Sequence, residues 1–323
     1  MLAICVECSH QRGMGHLFRA LNLIHMLEHL QEPYVLIVNE DAGALRILEQ
    51  WCIAAVTADL RDLTSDWEGA LIREYQITVW LNDRLDTSYV TARHVTDTGI
   101  PLYTIDDMGE GAALADGNFA SLIFEDVERV PGRKVYAGCD YLILNPQIET
   151  YRRERSKVEN ILVTLGGSDT YGVTLRVMEF FRRHKELHKK ITILLGPDAV
   201  IESEVRRAAE GTGFTVVSAV PSLICFLAEF DLAVTGGGVT ALEAAASGLP
   251  CVVVANEIHE IQIGRYLERQ GCALFAGYYK EMDLERITEI RDIGAMSRRG
   301  METVSLSGAA RICGIMGIGG MGI

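Results

Sequence analysis

Apolar positions in this chain gather in short unbroken runs, separated by stretches with helical spacing. Leu2-Ala-Ile-Cys-Val6, Tyr34-Val-Leu-Ile-Val38, Ile77-Thr-Val-Trp-Leu81 and Leu102-Tyr-Thr-Ile105 are runs of the buried-strand kind. Leu17, Leu21, Ile24 and Leu27 recur at helical period between the first two, and a second helix is expected from Ala44 to Gln50. After a polar stretch from Asn145 to Glu159 the alternation restarts. It gives strands at Asn160–Leu165, Ile191–Leu195, Phe214–Val217, Leu232–Val234 and Cys251–Val254, with a helix from Val173 to Arg183. The pattern predicts an α/β protein with two doubly wound, mostly parallel sheets and a cleft between the domains. The domains are expected at residues 1–150 and 151–323, with Asn145 to Glu159 as the linker or a solvated helix. The glycine-rich end, 314–323, is expected to be flexible.

One stretch, Val234 to Val254, reads as strand, glycine turn, helix, tight reversal and strand. Gly236-Gly237-Gly238 removes every Cβ where the backbone turns, and Thr240 to Ala246 has helix-forming composition. Gly248 suits a C-cap and Pro250 forbids continuation. The bare amides at such a helix start suit an anion, although glycines placed for packing in a plain crossover are an alternative. The same device recurs at Gly13-Met-Gly15-His16 and at Gly166-Gly167-Ser168-Asp169, each past a strand end. Neither is a standard cofactor motif. Phe18 replaces the third glycine of a dinucleotide fingerprint, and Val173 stands where a P-loop needs lysine.

The bulk numbers narrow the partners. The 323 residues are 49% hydrophobic and 23% charged, as in soluble globular proteins, and the net charge is -14. Nucleic acid and anionic membrane are therefore not expected as main partners, while a phosphate held by backbone amides remains compatible. No signal peptide and no membrane-spanning run is read, and eight cysteines scattered in apolar segments suit a reducing cytoplasm. Cys5-Val-Glu-Cys8 is a lone pair inside a strand and reads as packing.

His16 is the sharpest candidate for chemistry. A helix start disfavours a cation, so a neutral imidazole able to take a proton from water is expected there. Arg19, one turn on, would pair with a phosphate or a protein carboxylate. His25 and His29 have helical spacing but no third metal ligand nearby. Asp106-Asp107 either orients a sugar or caps a turn. Glu243 follows Thr240 by three residues, so it completes a capping box or accepts from ribose hydroxyls. His259-Glu260 opens the next helix, and no Asp-x-Asp pair occurs for a metal-diphosphate site.

With these residues assembled, residues 1 to 275 resemble the glycosyltransferase-B fold of two Rossmann-like domains. The match is to the UDP-sugar hydrolase of pseudaminic acid biosynthesis and related spore-coat polysaccharide proteins. Its pieces are Gly13-Met-Gly-His-Leu-Phe-Arg19, Ile105-Asp-Asp-Met-Gly109, Asp140-Tyr-Leu-Ile-Leu144, Leu162-Val-Thr-Leu-Gly-Gly-Ser-Asp169 and Thr235-Gly-Gly-Gly-Val-Thr-Ala-Leu-Glu243. The lipid-II-forming N-acetylglucosaminyltransferase shares the last piece. The resemblance implies a UDP sugar as ligand and His16 as the catalytic residue, activating water without a metal or other cofactor. Nucleotide contacts are implied at Thr235, Gly236, Gly237, Gly238, Thr240 and Glu243, with ribose on Glu243. The remaining substrate contacts are expected among Gly13, Gly15, Arg19, Asn82, Asp83, Asp106, Asp107, Gly166, Gly167, Ser168, Asp169, His259 and Glu260. The family usually has Asn-Gln at His259-Glu260 and an aromatic near Asn82-Asp83-Arg84, both beside the sugar. A glycosyltransferase with a sugar or lipid acceptor, and a non-catalytic nucleotide-sugar binder, stand as alternatives.

Overall fold

The structure, a computed structural model, describes residues 1–8, 14–166, 169, 171–187, 190–196, 199, 201–218 and 220–320. The chain divides into two compact units, one of Met1–Leu144 with Ser307–Ile323, the other of Asn145–Leu306.

The first unit runs β1 (Leu2–Val6), α1 (Gly15–His29), β2 (Tyr34–Val38), α2 (Ala42–Gln50), β3 (Ala55–Thr57), α3 (Trp67–Tyr75), β4 (Val79–Asp83), α4 (Tyr89–Thr96), β5 (Leu102–Ile105), β6 (Gly117–Ala120) and β7 (Val135–Ala137). Its sheet is parallel, ordered β3-β2-β1-β4-β5-β6-β7. β1 is buried at every position, as a central strand covered on both faces must be. Leu2, Ile4 and Val6 join the core under α1, while Ala3 and Cys5 face the opposite core with Trp80. The same alternation sorts β4, with Leu81 on the α1 side and Trp80 on the other. Asp83 therefore emerges on the α1 face and Asn82 does not.

The second unit runs α5 (Gln147–Tyr151), β8 (Asn160–Thr164), α6 (Val173–Arg183), β9 (Lys190–Leu194), α7 (Glu202–Ala209), β10 (Thr215–Val217), α8 (Leu223–Leu227), β11 (Leu232–Gly236), α9 (Val239–Ala246), β12 (Cys251–Ala255), α10 (Glu260–Arg269), β13 (Ala273–Tyr278) and α11 (Ile293–Thr303). Its parallel sheet is ordered β10-β9-β8-β11-β12-β13. Strand order reverses once in each unit, between β1 and β4 and between β8 and β11. Loops leaving the carboxyl ends on either side of a reversal diverge, and doubly wound sheets bind ligands in that crevice.

Three expectations are revised. The glycine-rich end is not a flexible tail of the second domain through residue 320. α12 (Gly308–Ile315) and the turn after it bury Ile312, Cys313, Met316 and Ile318 in the α1 core of the first unit. Asn145 to Glu159 is not a free linker: Arg155, 1% exposed, pins it inside the second unit. That guanidinium donates to the carbonyls of Arg153 (2.8 Å), Phe230 (3.2 Å), Leu227 (3.2 Å) and Ser247. The strand expected at Ile77–Leu81 begins at Val79 and runs through Asp83, and β3, β6, β7 and β13 were not read. Those four are short or interrupted by Gly117, Asn118 or Gly277, so their apolar runs are too weak to stand out. No helix among the described residues is long and apolar enough to cross a membrane.

Candidate active site

α1 begins just past the loop that leaves β1, so its first turn stands at the reversal point, beside the end of β4. His16 and Arg19 lie one turn apart on one face of α1. Asp83, the last residue of β4, meets both. Its Oδ1 lies 2.6 Å from Nδ1 of His16, and its Oδ2 accepts from Nε of Arg19 at 2.7 Å. Nη2 of Arg19 also donates to Oδ1 of Asp83. Nη1 of Arg19 donates to Oδ2 of Asp106 at 2.6 Å. Asp106 is left-handed (φ 49°) just past β5, and it accepts from Ser121 Oγ at 3.0 Å and the Leu122 amide at 2.8 Å. The outcome is a chain of contacts, His16–Asp83–Arg19–Asp106, closed by a backbone amide.

Nη2 of Arg19 approaches Nδ1 of His16 at 3.2 Å, and Nδ1 cannot both donate to Asp83 and accept from Arg19. The shorter contact, to a carboxylate, assigns the proton to Nδ1 and leaves Nε2 bare. Burial opposes the charge on Asp83. The Arg19 guanidinium, with hydrogen bonds from His16 and Arg19, outweighs it and holds the carboxyl below its ordinary value. Burial also opposes the charge on Arg19, and Asp83 and Asp106 more than restore it. Each buried charge is thus paired, the condition under which such a cluster is tolerated. His16 keeps some exposure, with 15% of its side chain accessible against 2% for Asp83. Gly15 is exposed, and a Cβ there would meet nothing within 4 Å among the described residues.

Two neighbours expected at the site are built into the fold instead. Asn82 is wholly buried on the Trp80 face, accepting from Trp80 Nε1 at 2.7 Å and donating to Thr87 Oγ1 at 3.2 Å. Asp107 is also wholly buried. It accepts from the amides of Thr87 (3.0 Å) and Gly109 (2.8 Å) and holds two loops together. Gly13 lies outside the described residues.

In the second unit, Gly166 leaves β8 in a left-handed conformation (φ 88°) that favours glycine. Gly167 and Ser168 lie outside the described residues. Asp169 is not presented to a ligand: 4% exposed, its carboxylate accepts from the amides of Val173 and Thr174, both at 2.9 Å, and caps α6. Gly236 ends β11, and Gly238 is the N-cap of α9 with no side chain capping it. The Thr240–Glu243 pair is therefore not a capping box. Glu243 is half-buried, with no side-chain hydrogen bond or ion pair among the described residues. Burial alone pushes its carboxyl up to about 7. Thr240 is half-buried on the same helix start.

Glu260 grips this loop from behind. Its Oε2 accepts from the amides of Asn256 (2.7 Å) and Glu257 (3.3 Å), closing the turn into α10. A Cβ at Gly237 would lie 2.6 Å from the Glu260 carbonyl, so only glycine fits there. Glu260 is thus a loop-holding residue in this structure, while His259 is exposed at the start of α10. Asn256, which sequence reasoning missed, donates to the Leu165 carbonyl at 3.2 Å and ties the end of β12 to that of β8. Its only sequence signal was an amide directly after a buried strand. Among the described residues its Oδ1 and the hydroxyl of Thr235 are buried without partners. Thr235 itself is 1% exposed, enclosed within β11 rather than facing outward.

Two doubly wound units with sites at the ends of their strands make this the glycosyltransferase-B fold. MurG of Acinetobacter baumannii shares it with a TM-score of 0.72 at 15% identity, over 98% of this chain and 99% of that one. A UDP-GlcNAc 2-epimerase of Neisseria meningitidis, bound to UDP-GlcNAc, shares it with a TM-score of 0.59 at 12% identity, over 97% and 98%. By sequence the chain is homologous to the spore coat polysaccharide biosynthesis protein SpsG of Bacillus subtilis. The two are 24% identical over 287 residues, which is 85% of this chain and 83% of SpsG. No protein-family profile matches the chain.

Proposed function

We propose that this chain is a nucleotide-sugar hydrolase, acting on a UDP sugar in the synthesis of a surface polysaccharide or a nonulosonic acid. The observation that carries the reading is the His16–Asp83 pair: Nδ1 is held by a buried carboxylate, so Nε2 is left to act as a base. Nε2 takes a proton from water, and the water oxygen bonds to the anomeric carbon. The bond from that carbon to the diphosphate oxygen breaks, and UDP leaves with the electron pair. Asp83 steadies the imidazolium formed, and Arg19 and Asp106 keep Asp83 charged and in place. The second unit holds the nucleotide, with diphosphate at the bare amides after Gly236 and ribose hydroxyls donating to Glu243. The Glu243 carboxyl and Asn256 Oδ1, both without a hydrogen-bond partner among the described residues, support a polar ligand there. The proton transfer on this reading uses no metal, so turnover is expected to survive chelators.

A glycosyltransferase is the second reading, favoured by the shared fold with MurG. The deciding experiment measures UDP release from a panel of UDP sugars with and without sugar and lipid acceptors, in wild type and His16→Ala. Acceptor-free release that falls about a hundredfold or more in the variant supports the hydrolase. Release that requires an acceptor supports the transferase. UDP binding with no release from any donor points to a binding protein.

A further inference from the structure

Outside the site, the first unit buries a carboxylate that its surroundings only half account for. Glu68, at the start of α3, has a side chain with no exposure at all. One of its oxygens, Oε2, lies 2.9 Å from Nδ1 of His94 on α4. The other, Oε1, is buried and has no hydrogen-bond partner among the described residues. Burial raises the pKa of the carboxyl, and His94, the residue's own amide and the Thr91 hydroxyl ease the charge. Asp66, the N-cap of α3, stands over the same place, accepting from the Gly69 amide at 3.0 Å. One ligand atom from each of Asp66, Glu68 and His94 can be chosen so that all lie within 4.8 Å of one another.

We propose that Asp66, Glu68 and His94 bind a divalent transition-metal ion, with Zn²⁺ the best match, and that the ion ties the start of α3 to α4. One imidazole and two carboxylates form a nitrogen–oxygen donor set that suits zinc, with water completing a tetrahedron. The ion takes the place of the proton between Glu68 and His94 and gives the orphaned carboxylate a partner. Its charge offsets the buried Glu68 carboxylate, while Asp66 also lies 3.6 Å from the Arg73 guanidinium. An entry path exists, because the side chains of Asp66 and His94 are 48% and 24% exposed while Glu68 forms the floor. None of the three residues touches the His16–Asp83–Arg19–Asp106 chain, so the ion is structural and takes no part in the proposed hydrolysis.

The test uses the full chain, stripped with a chelator and checked for folding by circular dichroism, then titrated with Zn²⁺ by calorimetry and with Co²⁺ by absorbance. One equivalent is expected to bind, Zn²⁺ is expected to raise the melting temperature, and Co²⁺ to give weak visible bands with no thiolate charge-transfer band. Asp66→Asn and His94→Ala should each weaken binding at least as much as loss of an outer-shell partner does, about 10–100-fold. Asp66 is half-exposed, so its variant keeps the test valid if His94→Ala folds poorly. UDP release by Asp66→Asn should match wild type. Unchanged affinity in the variants, a thiolate band with Co²⁺, or no saturable binding overturns the proposal.

Discussion

Nδ1 of His16 lies 2.6 Å from Oδ1 of Asp83, although 67 positions separate them in the chain. The contact exists because strand order reverses between β1 and β4, which brings the start of α1 against the end of β4. It gives the imidazole a fixed orientation and leaves Nε2 without a partner among the described residues. The first prediction tests that directly. Asp83→Asn keeps the shape of the side chain and removes its charge, so kcat for UDP release should fall about a hundredfold or more. KM should change little, because Asp83 touches His16 and not the ligand. Steady-state kinetics on the preferred donor separates the two; a rise in KM alone would remove Asp83 from the orienting role.

Arg19 carries two buried carboxylates. Arg19→Met should destabilise the first unit by about 3–5 kcal/mol, since Asp83 and Asp106 then lose their shared counter-charge. Urea unfolding measures it. The pH dependence has a definite sign. The folded pKa of Asp83 is lowered, so its stabilising contribution is present above the unfolded value of about 3.9 and lost as pH falls through the lower folded value. The stability gap between wild type and Asp83→Asn should therefore be full at pH 6 and shrink below about pH 4.

Glu243 shows the opposite sign. Its folded pKa is raised to about 7, so ionising it costs stability as pH rises from about 4.3 to that value and costs no more beyond it. Glu243→Gln should match wild type in stability near pH 4 and exceed it by about 1–3 kcal/mol at pH 8. Ribose hydroxyls donating to the carboxylate favour its charged form. UDP affinity should then rise between pH 6 and pH 8 in wild type and stay flat in Glu243→Gln, as calorimetry at several pH values would show. A parallel rise in the variant would place the ribose elsewhere.

Ending the chain at Leu306 should damage the first unit and not the second. The deletion removes Ile312, Cys313, Met316 and Ile318 from the core beneath α1. At about 1.5–3 kcal/mol for each large apolar side chain, the loss is on the order of several kcal/mol. Hydrogen exchange should report faster opening in β1 and α1, with β8 and β11 unchanged.

Much of this was legible in the chain as a string. Runs such as Leu2–Val6 and Cys251–Ala255 are apolar throughout because a central parallel strand is covered on both sides, and that one fact made the two doubly wound sheets readable. Glycines at Gly15, Gly166 and Gly236–Gly238 marked the strand ends, and His16 and Glu243 stood out beside them. Those signals are local: period, composition and turn chemistry within about a dozen residues.

What the tertiary structure alone decided is which polar residues gather at the strand ends and which hold the fold. Asn82 and Asp83 are adjacent in sequence, yet strand alternation sends one to Trp80 and the other to His16. Asp106 and Asp107 also part, just past the end of β5, one toward Arg19 and the other into a loop anchor. Asp169 turns out to be a helix cap, whereas Glu243 is freed from capping because Gly238 starts α9. The last helix joins the first unit because its apolar face fits the core beneath α1. Each outcome depends on contacts between segments far apart in the chain, and periodicity carries no information about those; by itself the sequence determined the central strands, the helices that begin beside the glycine turns and the ends at which to look.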